Sequence, residues 1–172
     1  MGSAGAEQVW RAVEETVAGG ASPPRVLHDV PAAILLRVTE IASVVFARVE
    51  REDVARLAYA NADQPPPLLR TPDGAPGVLD GARSVLVGGG RPGHRIEPEA
   101  TPAPGSVLLL HTDGLVERRD EPLDAGLRRP AGAVRTLATD DPDALCDGVL
   151  AALGADRHDD DVAVPAVAVE RA

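Results

Sequence analysis

Apolar side chains recur at helical spacing in the first part of the chain. Residues 7–18 predict a helix that ends at Gly19, because one face is apolar and the opposite face carries glutamates. A second helix is predicted over residues 22–35, with Ser22 at its N-cap and a break or kink at Pro31. We expect the apolar face of the first helix to pack onto a sheet. That face consists of Val9, Trp10, Val13 and Val17.

The pattern changes to that of β-strands after residue 40. Residues 41–49 are rich in β-branched side chains, residues 54–60 alternate, and a short polar stretch separates the two. These features predict a β-hairpin. The prolines at 65–67 then indicate extended chain at a sheet edge, and the composition of residues 71–74 indicates a turn.

The second half of the chain predicts two central strands with a helix between them. Residues 107–110 form a continuous apolar run, which is typical of a strand buried on both faces. The alternating stretch at 162–169 predicts a second central strand. Between them, a helix begins at Pro142, after Asp141, and ends at Gly154. We find neither an internal repeat nor an interdomain linker, so a single domain is expected.

The composition narrows the class of protein. The 172 residues include 17 basic and 27 acidic side chains, for a net charge of −10, and only one Trp, one Tyr and one Phe. Such a surface lacks the positive field and the stacking groups that nucleic-acid binding needs. No apolar run is long enough to cross a membrane, and no secretion signal is recognisable. We therefore expect a cytoplasmic domain that binds neither nucleic acid nor membranes, and the single Cys146 fits a reducing compartment.

Carboxylates stand at the exit of one predicted core strand and at the entrance of the other. Asp113 follows the strand at 107–110, and Asp160 precedes the strand at 162–169. If these strands are antiparallel neighbours, both carboxylates approach one point, where two hard oxygen donors fit Mg²⁺ or Mn²⁺ with water completing the shell. On spacing alone, a simple Asp-Gly turn and a solvated strand cap are the favoured interpretation.

Other polar residues have ordinary explanations. His111 and His158 lie near the two aspartates, but a sheet-end or surface histidine is favoured over a ligand or proton shuttle. Cys146 lies on the apolar side of its helix, which favours an inert core thiol over a nucleophile. Arg118 and Arg119 have the geometry to hold a phosphate group, although exposed charge on a loop is the safer interpretation.

The segment from His111 to Arg119, with the strand before it, resembles the aspartate turn of the PPM-type metal-dependent serine/threonine phosphatases. The similarity is to their SpoIIE/RsbU branch, and the segments 59–69, 123–127, 141–147 and 160–163 follow in that branch's order. The resemblance covers residues 6–170. It implies an α+β fold, an α-β-β-α sandwich of two antiparallel sheets flanked by helices, with a binuclear Mn²⁺/Mg²⁺ site at one edge. Asp113 and Asp160 carry over as metal ligands, with Asp159 as the alternative to Asp160 within the aspartate triplet at 159–161.

The chain departs from that family at two places. It contains neither the early aspartate nor the Gly-Asp-Val-x-Gly-His-Gly segment that supply the other metal ligands, and Asp63-Gln64 replaces a Gly-His pair. Residues 1–172 are therefore expected to form a single SpoIIE-like phosphatase domain, N-terminally incomplete, with weak metal binding and impaired dephosphorylation of a regulatory phosphoprotein.

Two alternatives remain open at this point. One is a non-catalytic, pseudophosphatase-like module that binds a stress-response or sigma-factor regulator without turnover. The other is a longer gene product, in which the absent segment lies upstream of Met1. An in-frame Gly-Asp-Val-x-Gly-His-Gly segment in the upstream DNA would favour the longer product.

Overall fold

The computed structural model divides the chain into two compact units. One unit consists of residues 1–64 and 81–100, and the other of residues 65–80 and 101–172. Ala18 is helical and Gly19 lies in a turn, as expected at the end of the first predicted helix. The rest of both N-terminal helices, including the apolar face with Trp10, lies outside the described residues. The structure describes residues 18–19, 43–51, 54–84, 98–118, 121–154 and 161–170.

The first unit contains the predicted β-hairpin. Strand β1 (Val44–Arg51) pairs antiparallel with strand β2 (Ala55–Ala62), from Val44 opposite Ala62 to Arg51 opposite Ala55. The other edge of β2 pairs with two short strands, parallel with β5 (Arg83–Ser84) and antiparallel with β6 (Glu99–Ala100). β2 is paired along both edges, and its residues from Leu57 to Ala62 are buried. The hairpin prediction is confirmed.

The second unit has a four-stranded antiparallel sheet in the order β4-β3-β7-β8. These strands are β3 (Leu68–Arg70), β4 (Pro76–Val78), β7 (Val107–Leu109) and β8 (Ala166–Ala168). The predicted turn is present between β3 and β4, where Gly74 N donates to Thr71 O at 2.8 Å and Gly74 has a φ of +85°.

Strand β3 is internal, so the prediction of an edge position for this segment is wrong. It pairs with β4 on one side and with β7 on the other. The proline run ends at Pro67, one residue before the strand, so every backbone N–H from Leu68 to Arg70 remains available to a ladder. A proline run predicts an edge only when it lies inside the paired segment.

Strand β7 is central, as predicted, and its three residues are almost completely buried. The predicted central position of the last strand is wrong, because β8 pairs only with β7 among the described residues and is largely exposed. Backbone pairing nevertheless extends past β8, since Leu110 N donates to Pro165 O at 2.9 Å and Thr112 N donates to Ala163 O at 3.1 Å. Pro165 has no N–H to return, which shortens the regular strand.

Two helices complete the second unit. Helix α2 (Pro142–Leu153) agrees with the prediction: Asp141 accepts a capping bond from Ala144 N at 2.8 Å, and Gly154 ends it with a φ of 70°. Helix α1 (Leu123–Thr136) was not predicted from the hydrophobic pattern. Both helices cover a core that includes Leu68, Val107, Leu109, Leu115, Val116, Val134, Leu145 and Val149.

The molecule is therefore an α+β protein with two sheets, as expected. The sheet of the second unit is entirely antiparallel, and the sheet of the first adds one short parallel pair. Within the described residues, no helix has the length and apolar character needed to cross a membrane.

Candidate functional site

The segment after β7 forms a tight turn that carries Asp113 on the surface. Residues Asp113–Leu115 make one turn of 3-10 helix, and the Asp113 carbonyl accepts from Val116 N and Glu117 N, both at 2.8 Å. The next two side chains, Leu115 and Val116, are fully buried in the core. The turn is thus anchored from inside, while the Asp113 carboxylate remains exposed.

One oxygen of the Asp113 carboxylate is held by the turn itself. Its Oδ1 accepts from Gly114 N at 2.9 Å, and no described residue donates to Oδ2. Because Gly114 directly follows the aspartate, this bond fixes the side-chain orientation. The carboxylate is therefore oriented and open to solvent, which are the properties that a cation ligand requires.

The last part of the chain lies beside this turn, as the antiparallel prediction requires. Thr112 Oγ1 donates to the Asp161 carbonyl at 3.0 Å and accepts from Ala163 N at 3.0 Å. Residues 161–163 are thus bonded to the residue that directly precedes Asp113. Asp160 lies outside the described residues, so its approach to Asp113 stays a prediction.

Helix α1 contacts the turn from behind. Arg129 Nη2 donates to the Val116 carbonyl at 2.7 Å, and Arg129 Nη1 forms an ion pair with Glu121. A Cβ on Gly126 would overlap the same carbonyl oxygen, so only glycine permits the close approach of the helix. Burial and the nearby charge of Arg118 lower the pKa of Arg129. Neither Gly126 nor Arg129 was singled out from the sequence.

Arg118 is bonded within the protein. Its Nη2 donates to the Leu153 carbonyl at 3.0 Å, at the C-terminal end of helix α2, where cations are favourable. Arg119 lies outside the described residues. The interpretation of Arg118 as a phosphate-binding group gains no support, because its guanidinium is directed to a helix end.

His111 and Cys146 have the ordinary roles that the sequence favours. His111 is buried, its Nδ1 lies 3.3 Å from the Thr112 carbonyl, and burial lowers its pKa. Cys146 lies against the core, and burial, with the charges of Asp143 and Asp147, raises its pKa. A thiol with a raised pKa is a poor nucleophile. His158 lies outside the described residues.

The chemistry of the donors fits a hard cation, but the described residues provide only part of a site. Carboxylate and carbonyl oxygens are the ligands that Mg²⁺ and Mn²⁺ prefer, and Asp113 offers one such group in a fixed orientation. Among the described residues there is no group of three or more His, Cys, Asp or Glu that could hold a metal ion.

The fold and the aspartate turn define a class, the PP2C-type (PPM-type) phosphatase domains. A structure of the RsbU and RsbW domains of a Mycobacterium tuberculosis protein matches 97% of this chain at 25% identity, with a TM-score of 0.85. The chain spans 47% of that protein. The SiaA PP2C domain of Pseudomonas aeruginosa matches 94% of the chain at 18% identity, covering 68% of its own length, with a TM-score of 0.74.

The same class includes the phosphatase domain of SpoIIE from Bacillus subtilis. It matches 94% of the chain at 15% identity, covering 72% of its own length, with a TM-score of 0.64. The chain belongs to the SpoIIE family, because the family model of stage II sporulation protein E matches residues 2–170. No curated protein matches the chain significantly. Family and fold together support a PP2C-like phosphatase, and the relatives in this class are metal-dependent.

Proposed function

We propose that this chain acts as one PP2C-type domain that removes phosphate from phosphoserine or phosphothreonine in a regulatory protein, with Mn²⁺ or Mg²⁺. The observation that carries the proposal is the oriented, exposed carboxylate of Asp113 beside the segment at 161–163. Membership of the SpoIIE family supports the choice of reaction. Asp113 and Asp160 are the proposed metal ligands.

Each residue of the turn has a defined task in this proposal. Asp113 binds the cation through its carboxylate, and Gly114 N keeps that carboxylate in one orientation. Thr112 holds the chain at residues 161–163 next to the turn. In the proposal, Asp160, which directly precedes this segment in the sequence, supplies the second carboxylate. A bound divalent cation supplies a water of lowered pKa and neutralises charge on the phosphoryl oxygens.

The proposed activity is weak in this chain. Two carboxylates provide fewer donors than two hard cations need, since each cation prefers about six oxygens. We therefore expect an affinity for Mn²⁺ in the millimolar range, roughly, because ligand charge and number set the affinity of such sites. Hydrolysis of p-nitrophenyl phosphate should remain close to background for the same reason.

Calorimetric titration with Mn²⁺ and a phosphatase assay test the proposal. The proteins are wild type, Asp113→Asn, Asp160→Asn and Asp147→Asn, where Asp147 is an exposed carboxylate on α2 that serves as the matched control. We expect the first two substitutions to abolish Mn²⁺ binding and residual turnover, and the control to retain both. Robust turnover that survives Asp113→Asn and Asp160→Asn would place the site elsewhere.

A non-catalytic module is the remaining candidate, and the same measurements separate it. It is favoured by the sequence, which contains no Gly-Asp-Val-x-Gly-His-Gly segment and so offers fewer carboxylates than the family pattern. A wild-type protein that neither binds Mn²⁺ nor releases phosphate from a phosphoserine peptide would support that function. In that case a regulatory protein would be its binding partner.

A further inference from the structure

We propose that Arg129 is a positioning residue that holds the Asp113 turn in its ligand-binding conformation. The inference rests on the proposed function, because it assumes that the Asp113 carboxylate is the working group. Among the described residues, Arg129 bonds to Val116 and Glu121 and not to Asp113. It acts through the backbone of Val116.

A continuous path of bonds connects Arg129 to the aspartate. Its Nη2 donates to the Val116 carbonyl at 2.7 Å, and Val116 N donates to the Asp113 carbonyl at 2.8 Å. Val116 therefore bonds to helix α1 through its carbonyl and to the Asp113 turn through its N–H. If Val116 moves, the position of the Asp113 backbone changes with it.

Arg129 is itself held in place by two features. Its Nη1 pairs with Glu121, and the planar guanidinium then directs Nη2 to a second acceptor with little loss of freedom. Gly126, one turn earlier on α1, allows the helix to approach the Val116 carbonyl closely. We call Gly126, Arg129 and Glu121 the α1 clamp.

Stability alone does not explain the presence of this arginine. Its ion pair with Glu121 is partly exposed, and pairs of that kind contribute little. Its Nε is buried and has no hydrogen-bond partner in the part of the chain that the structure describes, so desolvation offsets part of what its bonds contribute. The clearest consequence of Arg129 is therefore that it fixes the position of the Val116 carbonyl.

A matched control exists in the same unit. Arg70 is more deeply buried than Arg129, but like it bonds to a carbonyl, that of Leu137 at 3.2 Å, pairs with a carboxylate, that of Asp140 at 2.7 Å, and has an unpartnered Nε among the described residues. The carbonyl that it binds follows helix α1 and is remote in sequence from the Asp113 turn. Arg129→Met and Arg70→Met thus remove the same kinds of contact from different places.

Amide hydrogen exchange, followed by NMR, tests the clamp without any metal. In Arg129→Met we expect the amides of Val116 and Glu117 to exchange about tenfold faster or more, the effect of losing one charge-assisted hydrogen bond. Arg70→Met should leave these two amides unchanged. Unchanged exchange at Val116 and Glu117 in Arg129→Met, or equal acceleration in both variants, would overturn the proposal.

Mn²⁺ titration then tests the link to the site. We expect Arg129→Met to weaken binding about tenfold, Arg129→Lys to restore part of it, and Arg70→Met to bind like wild type. If Arg129→Met does not fold, amide exchange and Mn²⁺ binding are measured on Arg129→Lys and Glu121→Gln instead. Wild type that binds no Mn²⁺ would refute the proposed metal site alone, because the exchange result is independent of metal. Accelerated exchange with unweakened Mn²⁺ binding would overturn the positioning role.

Discussion

Two glycines of the same helix differ in what surrounds them. Gly126 faces the Val116 carbonyl, which a Cβ would overlap, whereas a Cβ built on Gly132 meets no described atom beyond its own helix backbone within 4 Å. Alanine favours helix by up to about 1 kcal/mol over glycine, so the propensity gain is the same at both sites and only the contact differs.

We predict that Gly126→Ala destabilises the protein and that Gly132→Ala stabilises it. The first substitution forces α1 away from the Asp113 turn, and overpacking of this kind costs about 1–3 kcal/mol, more than the propensity gain. The second adds a side chain in open space and should contribute about 0.5–1 kcal/mol. Urea unfolding of both variants measures the difference. Equal effects of the two substitutions would show that the helix does not contact Val116 as described.

At the scale of elements, β7 connects the core to the site. Its residues face the α1 and α2 core at Val107 and Leu109, and its C-terminal end leads directly into the Asp113 turn. All three residues of β7 pair with both β3 and β8, so a change of register would disrupt two ladders at once. The position of Asp113 therefore depends on the packing of this strand.

We predict that Leu109→Asp is severely destabilising. Leu109 is fully buried between β3 and β8, so the charge would have no partner, at a cost of several kcal/mol. Val78→Asp, on the exposed side of edge strand β4, should change stability by less than about 1 kcal/mol. Thermal unfolding compares the two variants. A Leu109→Asp protein that melts close to wild type would contradict the central position of β7.

The elements that sequence could predict are those whose signals are local. Helix α2 has its cap, its first-turn proline and its terminal glycine in consecutive order, and β7 is an uninterrupted apolar run. Helix α1 was missed because Gly126, Pro130 and Gly132 resemble loop residues, although the buried positions 126, 130, 133 and 134 follow helical spacing. The sequence signal that could have found it is an apolar set at offsets 0, 4 and 7, namely Leu127, Ala131 and Val134, which lie in or against the core.

The candidate site, like the fold, could be predicted only in part from the sequence. The turn at Asp113 could be expected because the sequence around it is distinctive, and the neighbouring strand because the apolar stretch at 162–169 is long. That Asp113 binds a metal stays a prediction. The α1 clamp could not be found from sequence, since its contacts join residues far apart in the chain through a backbone carbonyl that carries no sequence signal. Which backbone carbonyl a distant side chain reaches is decided only once the chain has folded.

For the molecule as a whole, charge complicates any test of metal binding. The chain has a net charge of −10, so a divalent cation stabilises it in part by reducing general repulsion between carboxylates. Binding at a specific site adds a further stabilisation of the folded state, which is lost when the ligand residue is replaced. The two contributions separate only when a site variant is compared with a variant that removes the same charge elsewhere.

We predict that Mn²⁺ raises the melting temperature of wild type and of Asp147→Asn by more than that of Asp113→Asn. At a free concentration about ten times the Kd, one site stabilises the folded state by about 1.4 kcal/mol, which corresponds to roughly 3–6 °C for a chain of this size. Asp113→Asn and Asp147→Asn each remove one exposed carboxylate, so the general effect of the cation is the same in both. Differential scanning fluorimetry over a series of Mn²⁺ concentrations, with removal by EDTA, measures the shifts. Equal shifts in all three proteins would mean that Mn²⁺ acts only through the general charge, and that Asp113 holds no ion.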